Sequence, residues 1–164
     1  MAALSAKLSK TKMAIYAAYG SNLDPKRMLE LAPHSPLIGP GWLQGWRLTF
    51  GGADLGWECA LPTIVEDPTH QVFVMLYSLT EDDERNLHSA EGFDLGFYNK
   101  IRVRVSTLDK DETAWIYVVQ GYEDGLPLKK YVDDIINAAI IAGAPDDYIQ
   151  TLRMRVVLDE DESN

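Results

Sequence analysis

The sequence predicts an α+β fold in one domain, with strands over most of the chain and helices at its end. Apolar runs of the length and composition typical of strands recur between residues 13 and 122, and the apolar spacing becomes helical after Pro127. Strands and helices do not alternate regularly, so a parallel βαβ sheet is not expected. With 164 residues and a hydrophobic fraction of 46%, the chain suits a single packed core.

The strand candidates differ in how straight they should be. They cover residues 13–19, 37–50, 59–65, 72–79, 97–105 and 113–122. The first is a short apolar run, which the turn-forming residues Gly20, Ser21 and Asn22 end. The second contains glycines at positions 39, 41 and 45, which predict a bent or bulged strand.

The later strands are indicated by turn-forming residues between them and by the alternating polarity of one of them. Glu66-Asp67-Pro68 predicts a turn between the third and fourth strands, and Asp109-Lys110-Asp111 predicts a hairpin between the last two. The fifth strand alternates in polarity, which predicts that it is half-buried. Its one face carries Tyr98, Lys100, Arg102 and Arg104, and its other face carries Phe97, Ile101, Val103 and Val105.

Four helices are expected between and after the strands. Asp24-Pro25 supplies an N-cap followed by proline at the first helical position. Thr80 precedes four acidic residues and caps a second helix, which should end near Gly92. An apolar stripe that ends at Gly143 predicts a third helix, and residues 145–155 predict a fourth. The stripe consists of Tyr131, Ile135, Ile136, Ala139 and Ile140.

Charge and composition exclude several classes of partner. The formal net charge of −10 disfavours nucleic acid and anionic membranes, which are bound by clustered Lys and Arg. A single cysteine, Cys59, excludes an intrachain disulfide framework and favours the cytoplasm. No run approaches the roughly 18 apolar residues that span a bilayer, and residues 1–12 lack the apolar core of a secretory signal. We expect one domain over residues 13–158, a flexible tail at 1–12 and an acidic tail at 159–164.

Two local features could carry chemistry. Tyr19-Gly20-Ser21-Asn22 lies between a buried strand and a helix start, where exposed N–H groups can bind an anion or oxyanion. Glu91 lies at the junction between an acidic helix and the next strand, where burial would raise its pKa towards that of a general base. Taken separately, each has a simpler explanation, namely a plain turn and a solvated carboxylate.

Together these pieces resemble the γ-glutamylcyclotransferase family over most of the chain, from Ile15 to about Leu152. The matching residues are Tyr16 to Leu23, Leu76-Tyr77, Glu91-Gly92, Gly96, Tyr98, Pro127, Tyr131, Gly143-Ala144 and Tyr148. The resemblance implies a small mixed β-barrel with flanking helices, a loop that binds a γ-glutamyl group, and a glutamate as general acid/base. It assigns catalysis to Glu91, and substrate binding to Tyr16, Tyr19, Gly20, Ser21, Asn22 and Leu23.

The reaction implied by this resemblance needs no metal and no cofactor. The α-amine of a γ-glutamyl amide attacks its own γ-carbonyl, which yields 5-oxoproline and releases an amine, while Glu91 moves the proton. Tyr98, Tyr117 and Tyr131 are candidates to line the pocket, with core packing as the alternative. The amine could belong to an amino acid, a simple amine, glutathione or a specialised metabolite, although the Ser-Asn loop makes glutathione less expected. The resemblance also allows a homodimer.

Other chemistries have weaker support. Glu84, His88 and Glu91 have the spacing of one helix face and could suggest a metal site, although a solvated acidic face is commoner. Neither Cys59 nor Ser21 lies in a recognised nucleophile motif. A non-catalytic ligand-binding or interaction module with the same fold remains the alternative function, because a fold alone does not fix a function.

Overall fold

A computed structural model describes residues 14–52, 60–91, 96, 98–119, 123 and 125–158 of the chain. In chain order the elements are β1 (Ala14–Ala18), a 3-10 turn (Ser21–Leu23), α1 (Pro25–Leu31), β2 (Leu37–Gly51), β3 (Leu61–Leu79), α2 (Glu81–Ala90), β4 (Tyr98–Ser106), β5 (Asp111–Val119), α3 (Lys129–Ile141) and α4 (Asp146–Arg153). The predicted α+β class is confirmed. Parts of several expectations lie outside the described residues, namely Met13, Cys59, Gly92, Phe97, the end of the last strand at residues 120–122, and both tails.

The strands close a small mixed barrel. Within the described residues their order is β1-β3-β2-β4-β5, and a parallel pair between Tyr16 and Trp115 joins β5 back to β1. The remaining neighbours are antiparallel. No helix in the described part of the chain is long and apolar enough to cross a membrane.

The barrel depends on a close approach between β2 and β4. Trp42 pairs with Ser106 at this point. A Cβ atom added to the preceding Gly41 would lie 2.5 Å from Cγ1 of Val105 and 3.1 Å from the carbonyl oxygen of Ser106. The glycine therefore allows the strands to meet. The predicted irregularity of β2 is also confirmed, since its register with β3 shifts near Gly39 and Gly45.

The predicted turn at Glu66-Asp67-Pro68 does not divide two strands, and in this respect the sequence prediction was wrong. β3 runs without interruption over 19 residues. Its pairing with β2 passes from Gln71 opposite Gln44 to Glu66 opposite Trp46, so the intervening residues form an irregularity within one strand. Asp67 accepts hydrogen bonds from Thr69 N and Oγ1 at 3.0 and 2.7 Å. The residues of the predicted turn are therefore held by local hydrogen bonds, and β3 pairs with β2 on both sides of them.

An aromatic face of the barrel is covered by α2. Tyr16 pairs across the sheet with Tyr77 and with Trp115, so these three side chains share one face. The ring of His88, on α2, lies 5.6 Å from the rings of Trp115 and Tyr117. The alternating aliphatic side chains point to the opposite, interior face and are fully buried, as in Ala17, Val74, Leu76 and Ile116. Helix α2 consequently packs against aromatic rings, and its end reaches the loop that follows β1.

Helix α3 is rotated relative to the predicted apolar stripe. Its buried residues are Val132, Ile135, Ile136, Ala138 and Ala139. Tyr131 and Ile140, which were expected on the stripe, are 37% and 47% exposed. Tyr131 lies in the first turn of α3, with the Lys130 ammonium 5.4 Å from the centre of its ring. The 3.6-residue period was predicted correctly, but the choice of face was shifted by about one residue.

A buried carboxylate fixes the start of α2. Thr80 caps the helix, and its Oγ1 accepts a hydrogen bond from Asp83 N. The Asp83 side chain is 1% exposed and accepts hydrogen bonds from His34 N at 2.8 Å and Ser35 Oγ at 2.6 Å. These bonds tie α2 to the segment after α1, so the two helices that carry residues of the candidate site keep a constant spacing.

We predict that Asp83→Ala lowers the free energy of unfolding by about 2–4 kcal/mol, because it removes both hydrogen bonds that the buried Asp83 carboxylate accepts from His34 N and Ser35 Oγ. Urea denaturation followed by circular dichroism measures this loss. Asp82→Ala is the matched control on the same helix; its side chain is 82% exposed, and we expect a change within about 0.5 kcal/mol. Equal effects of the two substitutions would contradict a tethering role for Asp83.

Candidate active site

A small cavity lies where β1 ends and the Tyr19-Gly20-Ser21-Asn22 loop begins. Its volume is about 50 Å³. The lining residues are Tyr16, Tyr19, Gly20, Ser21, Asn22, Pro62, Glu91, Tyr98 and Tyr117. They come from β1 and its loop, from β3, from the end of α2, and from β4 and β5, so only the tertiary fold brings them together. A larger hollow of about 500 Å³ near α1 and the start of β2 has no acidic side chain in its lining.

Glu91 reaches this cavity from the C-terminal end of α2. It is the C-cap residue, and its backbone N–H donates to the carbonyl of Leu87 at 2.9 Å. Its Oε1 accepts a hydrogen bond of 2.6 Å from Nδ2 of Asn22, which is 4% exposed. The acid therefore lies beside the Gly20 turn and is partly shielded from bulk water.

Asn22 is the hub of the hydrogen-bond network. Besides its bond to Glu91, its Nδ2 donates to the hydroxyl of Tyr16 at 3.1 Å. Its Oδ1 accepts a bond of 2.9 Å from Nε of Arg27, in α1. Arg27 was not singled out by the sequence, because it belongs to no motif. The only signal for it was its place in the first turn of the helix that follows the loop.

Burial changes the acid–base properties of the cavity. Removal from water raises the pKa of Glu91, while the hydrogen bond from Asn22 and the positive charge of Arg27 act in the opposite direction and lower it. Burial also raises the pKa values of Tyr16 and Tyr98 above the ordinary range for phenols. These two phenols are consequently protonated donors at neutral pH, and the carboxylate is a stronger base than one in water.

The Tyr19 hydroxyl stabilises the fold. It donates to the carbonyl of Tyr117 at 2.7 Å and lies 3.3 Å from that of Pro62, also as a donor. These bonds tie the loop after β1 to β5 and β3. The ring lines the cavity, but the hydroxyl is already engaged, so Tyr19 is suited to holding the loop in place.

Tyr98 and Tyr117 form an aromatic wall. The ring of Tyr117 lies 5.8 Å from that of Tyr16 and 6.0 Å from that of Tyr98, in edge-on geometry. For Tyr117 the sequence left a choice between core and pocket. The side chain belongs to both, because it is buried and also lines the cavity.

Some of the predicted residues lie elsewhere. Leu23 is completely buried in the core and does not line the cavity. Tyr131 lies on the partly exposed surface of α3 and is also absent from the lining.

The helix face considered as a metal site is arranged differently. His88 Nε2 lies 3.6 Å from Oε1 of Glu84, and the ammonium of Lys100 pairs with that same carboxylate. Glu91, at the end of the helix, is hydrogen-bonded to Asn22. Within the described ranges no group of three or more His, Cys, Asp and Glu residues is placed to hold a metal ion.

Comparison with known proteins identifies the family. The model of the AIG2-like family matches residues 71–152, which is half of the chain. Gamma-glutamylcyclotransferase from Bos taurus is 30% identical over 143 residues, which cover 84% of this chain and 76% of the relative. The chain belongs to the AIG2-like, γ-glutamylcyclotransferase family.

Further members of this family agree in both sequence and structure. Gamma-glutamylcyclotransferase from Homo sapiens is 28% identical over 144 residues, which cover 85% of this chain and 77% of the human protein. A solved structure of a gamma-glutamyl cyclotransferase superposes with a TM-score of 0.78 at 26% identity, over 88% of this chain and 89% of the other. The expected family and its barrel fold are therefore confirmed, and the curated relatives support an enzyme of this class.

Because the pKa of Glu91 is raised in the folded state, its burial should lower stability once the pH exceeds the pKa that Glu91 has in the unfolded chain. We predict that Glu91→Gln is more stable than the parent at pH 7–8, and that this advantage disappears at low pH, where the carboxyl group is protonated in both states. Urea unfolding measured from pH 4 to pH 8 checks the trend. The exposed Glu66→Gln is the matched control. A Glu91→Gln advantage that grows as the pH falls would contradict the assigned direction.

Proposed function

We propose that this chain converts a γ-glutamyl amide into 5-oxoproline and a free amine. The observation that carries the proposal is the hydrogen bond from Asn22 to Glu91, which sets an acid of raised pKa beside the Gly20 turn in a small cavity. The names of the curated relatives support the same reaction class.

The proposed reaction suits a site that holds its substrate in the reactive conformation. In a γ-glutamyl amide the nucleophile and the carbonyl belong to one molecule, and their meeting closes a five-membered lactam. Holding the substrate curled supplies proximity of the kind that contributes several kcal/mol to catalysis. The loop residues Gly20, Ser21 and Asn22 and the phenol of Tyr16 are the groups suited to hold it in this way.

Glu91 serves twice in the proposed mechanism. The substrate α-amine has a reference pKa near 8, so it is mostly protonated at neutral pH and must lose a proton before it attacks. The Glu91 carboxylate takes that proton. The resulting carboxylic acid then gives it to the departing nitrogen, which would otherwise leave as a very poor leaving group. As the lactam forms, the attacking nitrogen loses its second proton to water, and the released amine takes up a proton from water. Over a full cycle Glu91 returns to its ionised form.

The developing oxyanion needs donors that are already in position. The first N–H groups of a helical turn have no intrahelical acceptor, so those of Ser21 and Asn22 can donate to the carbonyl oxygen. The hydroxyl of Tyr16 accepts from Asn22 and keeps its own hydrogen for a further bond. These donors lie in the same cavity as Glu91.

The size of the cavity limits how much of the substrate it can enclose. About 50 Å³ holds only part of a glutamyl unit, so the released amine must extend towards the outside. We propose a γ-glutamyl amino acid or a γ-glutamyl amine in the cytoplasm as the substrate.

Incubation with a panel of γ-glutamyl amino acids, γ-glutamyl amines and glutathione tests both the reaction and the substrate preference. The measured product is 5-oxoproline. Binding without turnover across the panel would instead favour a ligand-binding module.

We predict that Glu91→Gln reduces kcat by roughly 10²–10⁴-fold, because the amide keeps the shape of the side chain but cannot accept the proton. Release of 5-oxoproline measures the loss. Glu66→Gln, the same chemical change at an exposed position outside the cavity, should keep parental activity. A Glu91→Gln enzyme within a few-fold of the parent would remove Glu91 from the mechanism.

For Ser21→Ala we predict a smaller loss, of about ten-fold or less, because the backbone donors remain when the hydroxyl is removed. The same product assay, run under identical conditions, gives the ratio. An unchanged rate would restrict the contribution of the loop to its backbone, and a loss as large as that of Glu91→Gln would require a chemical role for the hydroxyl.

A further inference from the structure

The side-chain amide of Asn22 uses its full hydrogen-bonding inventory apart from one oxygen lone pair. Its two N–H groups point to Tyr16 and Glu91, and its oxygen accepts from Nε of Arg27. The residue is also buried, so the loss of a partner would leave a shielded polar group unsatisfied. Its orientation is therefore decided by the groups around it.

Arg27 is the partner that fixes this orientation in either protonation state of Glu91. A guanidinium can only donate, so the amide oxygen of Asn22 must face it. A flipped amide would set N–H groups against Arg27 and an oxygen against the Glu91 carboxylate, and both contacts would be repulsive. The Tyr16 hydroxyl cannot impose this choice, because it both donates and accepts.

We propose that Arg27 is a positioning residue for the reaction, which acts through Asn22 to hold one carboxyl oxygen of Glu91 and leave the other free for proton transfer. This inference rests on the proposed function. Oε1 receives the Asn22 hydrogen bond, whereas among the described residues no hydrogen bond engages Oε2. The proton therefore passes through Oε2. With Arg27 in place Asn22 keeps donating to Oε1 even when Glu91 is protonated, so the carboxyl group keeps its orientation in both halves of the cycle.

The position of Arg27 suits this role, because its side chain lies outside the packed core. The residue lies in the first turn of α1, whose N-cap Asp24 accepts a hydrogen bond from Lys26 N. The Arg27 side chain is exposed and borders a surface hollow of about 320 Å³ that also includes Ser21. Its removal would leave the core intact, so a change in catalysis can be measured on a folded protein.

Several other ionisable groups surround Glu91 and must be kept constant in any test. On the elements packed around the cavity they are Tyr16 on β1, Tyr19 in the loop, Tyr98 on β4, Tyr117 on β5 and His88 on α2 itself. Arg27 is the cation whose charge acts on the Glu91 carboxyl group. Its replacement changes that charge without touching the phenols or the imidazole.

The test compares Arg27→Met, Arg27→Lys and, as a matched control, Lys26→Met. The control removes the same charge from the neighbouring position of the same helix, but Lys26 has no contact with Asn22 in the described hydrogen-bond network. We expect Arg27→Met to lower kcat by roughly ten-fold to hundred-fold with a smaller change in KM, because the base loses its fixed orientation. Arg27→Lys should recover most of this loss, and Lys26→Met should stay within two-fold of the parent.

The pH profile gives a second readout, which a purely structural role would not move. The charge of Arg27 and the Asn22 bond both lower the pKa of Glu91, so losing them should raise it further. The carboxylate is the active base, so the acid limb of kcat/KM should move to higher pH in Arg27→Met and return in Arg27→Lys. An Arg27→Met enzyme with the kcat and acid limb of Lys26→Met would overturn the proposal.

A direct titration separates the failure of this inference from failure of the proposed function. The side-chain carboxyl resonance of Glu91 in ¹³C-glutamate-labelled protein can be assigned by its absence from Glu91→Gln, and then followed with pH in each Arg27 variant. If the parent releases no 5-oxoproline, the function is wrong. A higher titration midpoint in Arg27→Met than in Lys26→Met would still support the influence of Arg27 on the Glu91 carboxyl group. Equal midpoints would overturn it.

Discussion

The hydrogen bond between Asn22 and Glu91 is the contact on which the candidate site depends. It joins the loop after β1 to the end of α2, two positions separated by 69 residues in the chain. In the proposed mechanism both partners are needed: without Asn22 the carboxylate has no fixed direction, and without Glu91 the turn offers donors but no base. The Asp83 contacts to the segment after α1 hold the start of α2, so that its other end meets the turn.

Glu91 lies where burial disfavours the charged form of its carboxyl group. Desolvation raises the pKa of Glu91, which costs stability at neutral pH but makes the carboxylate a stronger base, as the proposed proton transfer requires. Asn22 and Arg27 limit this shift and keep the group ionisable. The phenols around it remain protonated, so the cavity combines one base with several neutral donors. Such a combination suits the proposed reaction, which develops an oxyanion and needs proton transfer between two nitrogens.

Much of the local structure could be predicted because it follows from short-range rules. The capped starts at Asp24 and Thr80 and the hairpin before β5 lie where their residues indicate. The errors arose where tertiary contacts override such rules. The turn at Glu66-Asp67-Pro68 is absorbed into β3 because β2 continues to pair on both sides of it. Tyr131 faces outward because packing against the Ser21–Leu23 turn and α4 selects a face of α3 slightly different from the one its hydropathy suggests.

The sequence by itself determined the α+β class and, through the Tyr-Gly-Ser-Asn loop and the distant Glu-Gly pair, the family. Both depend on residue types and spacings that are visible along the chain. Only the tertiary structure decided that eight of the ten predicted site residues line one cavity, that Leu23 and Tyr131 do not, and that Arg27 joins the network. The physical reason is that hydrogen bonds and burial depend on distances in space. The partners of Asn22 come from β1, α1 and the end of α2, and no local pattern records their meeting.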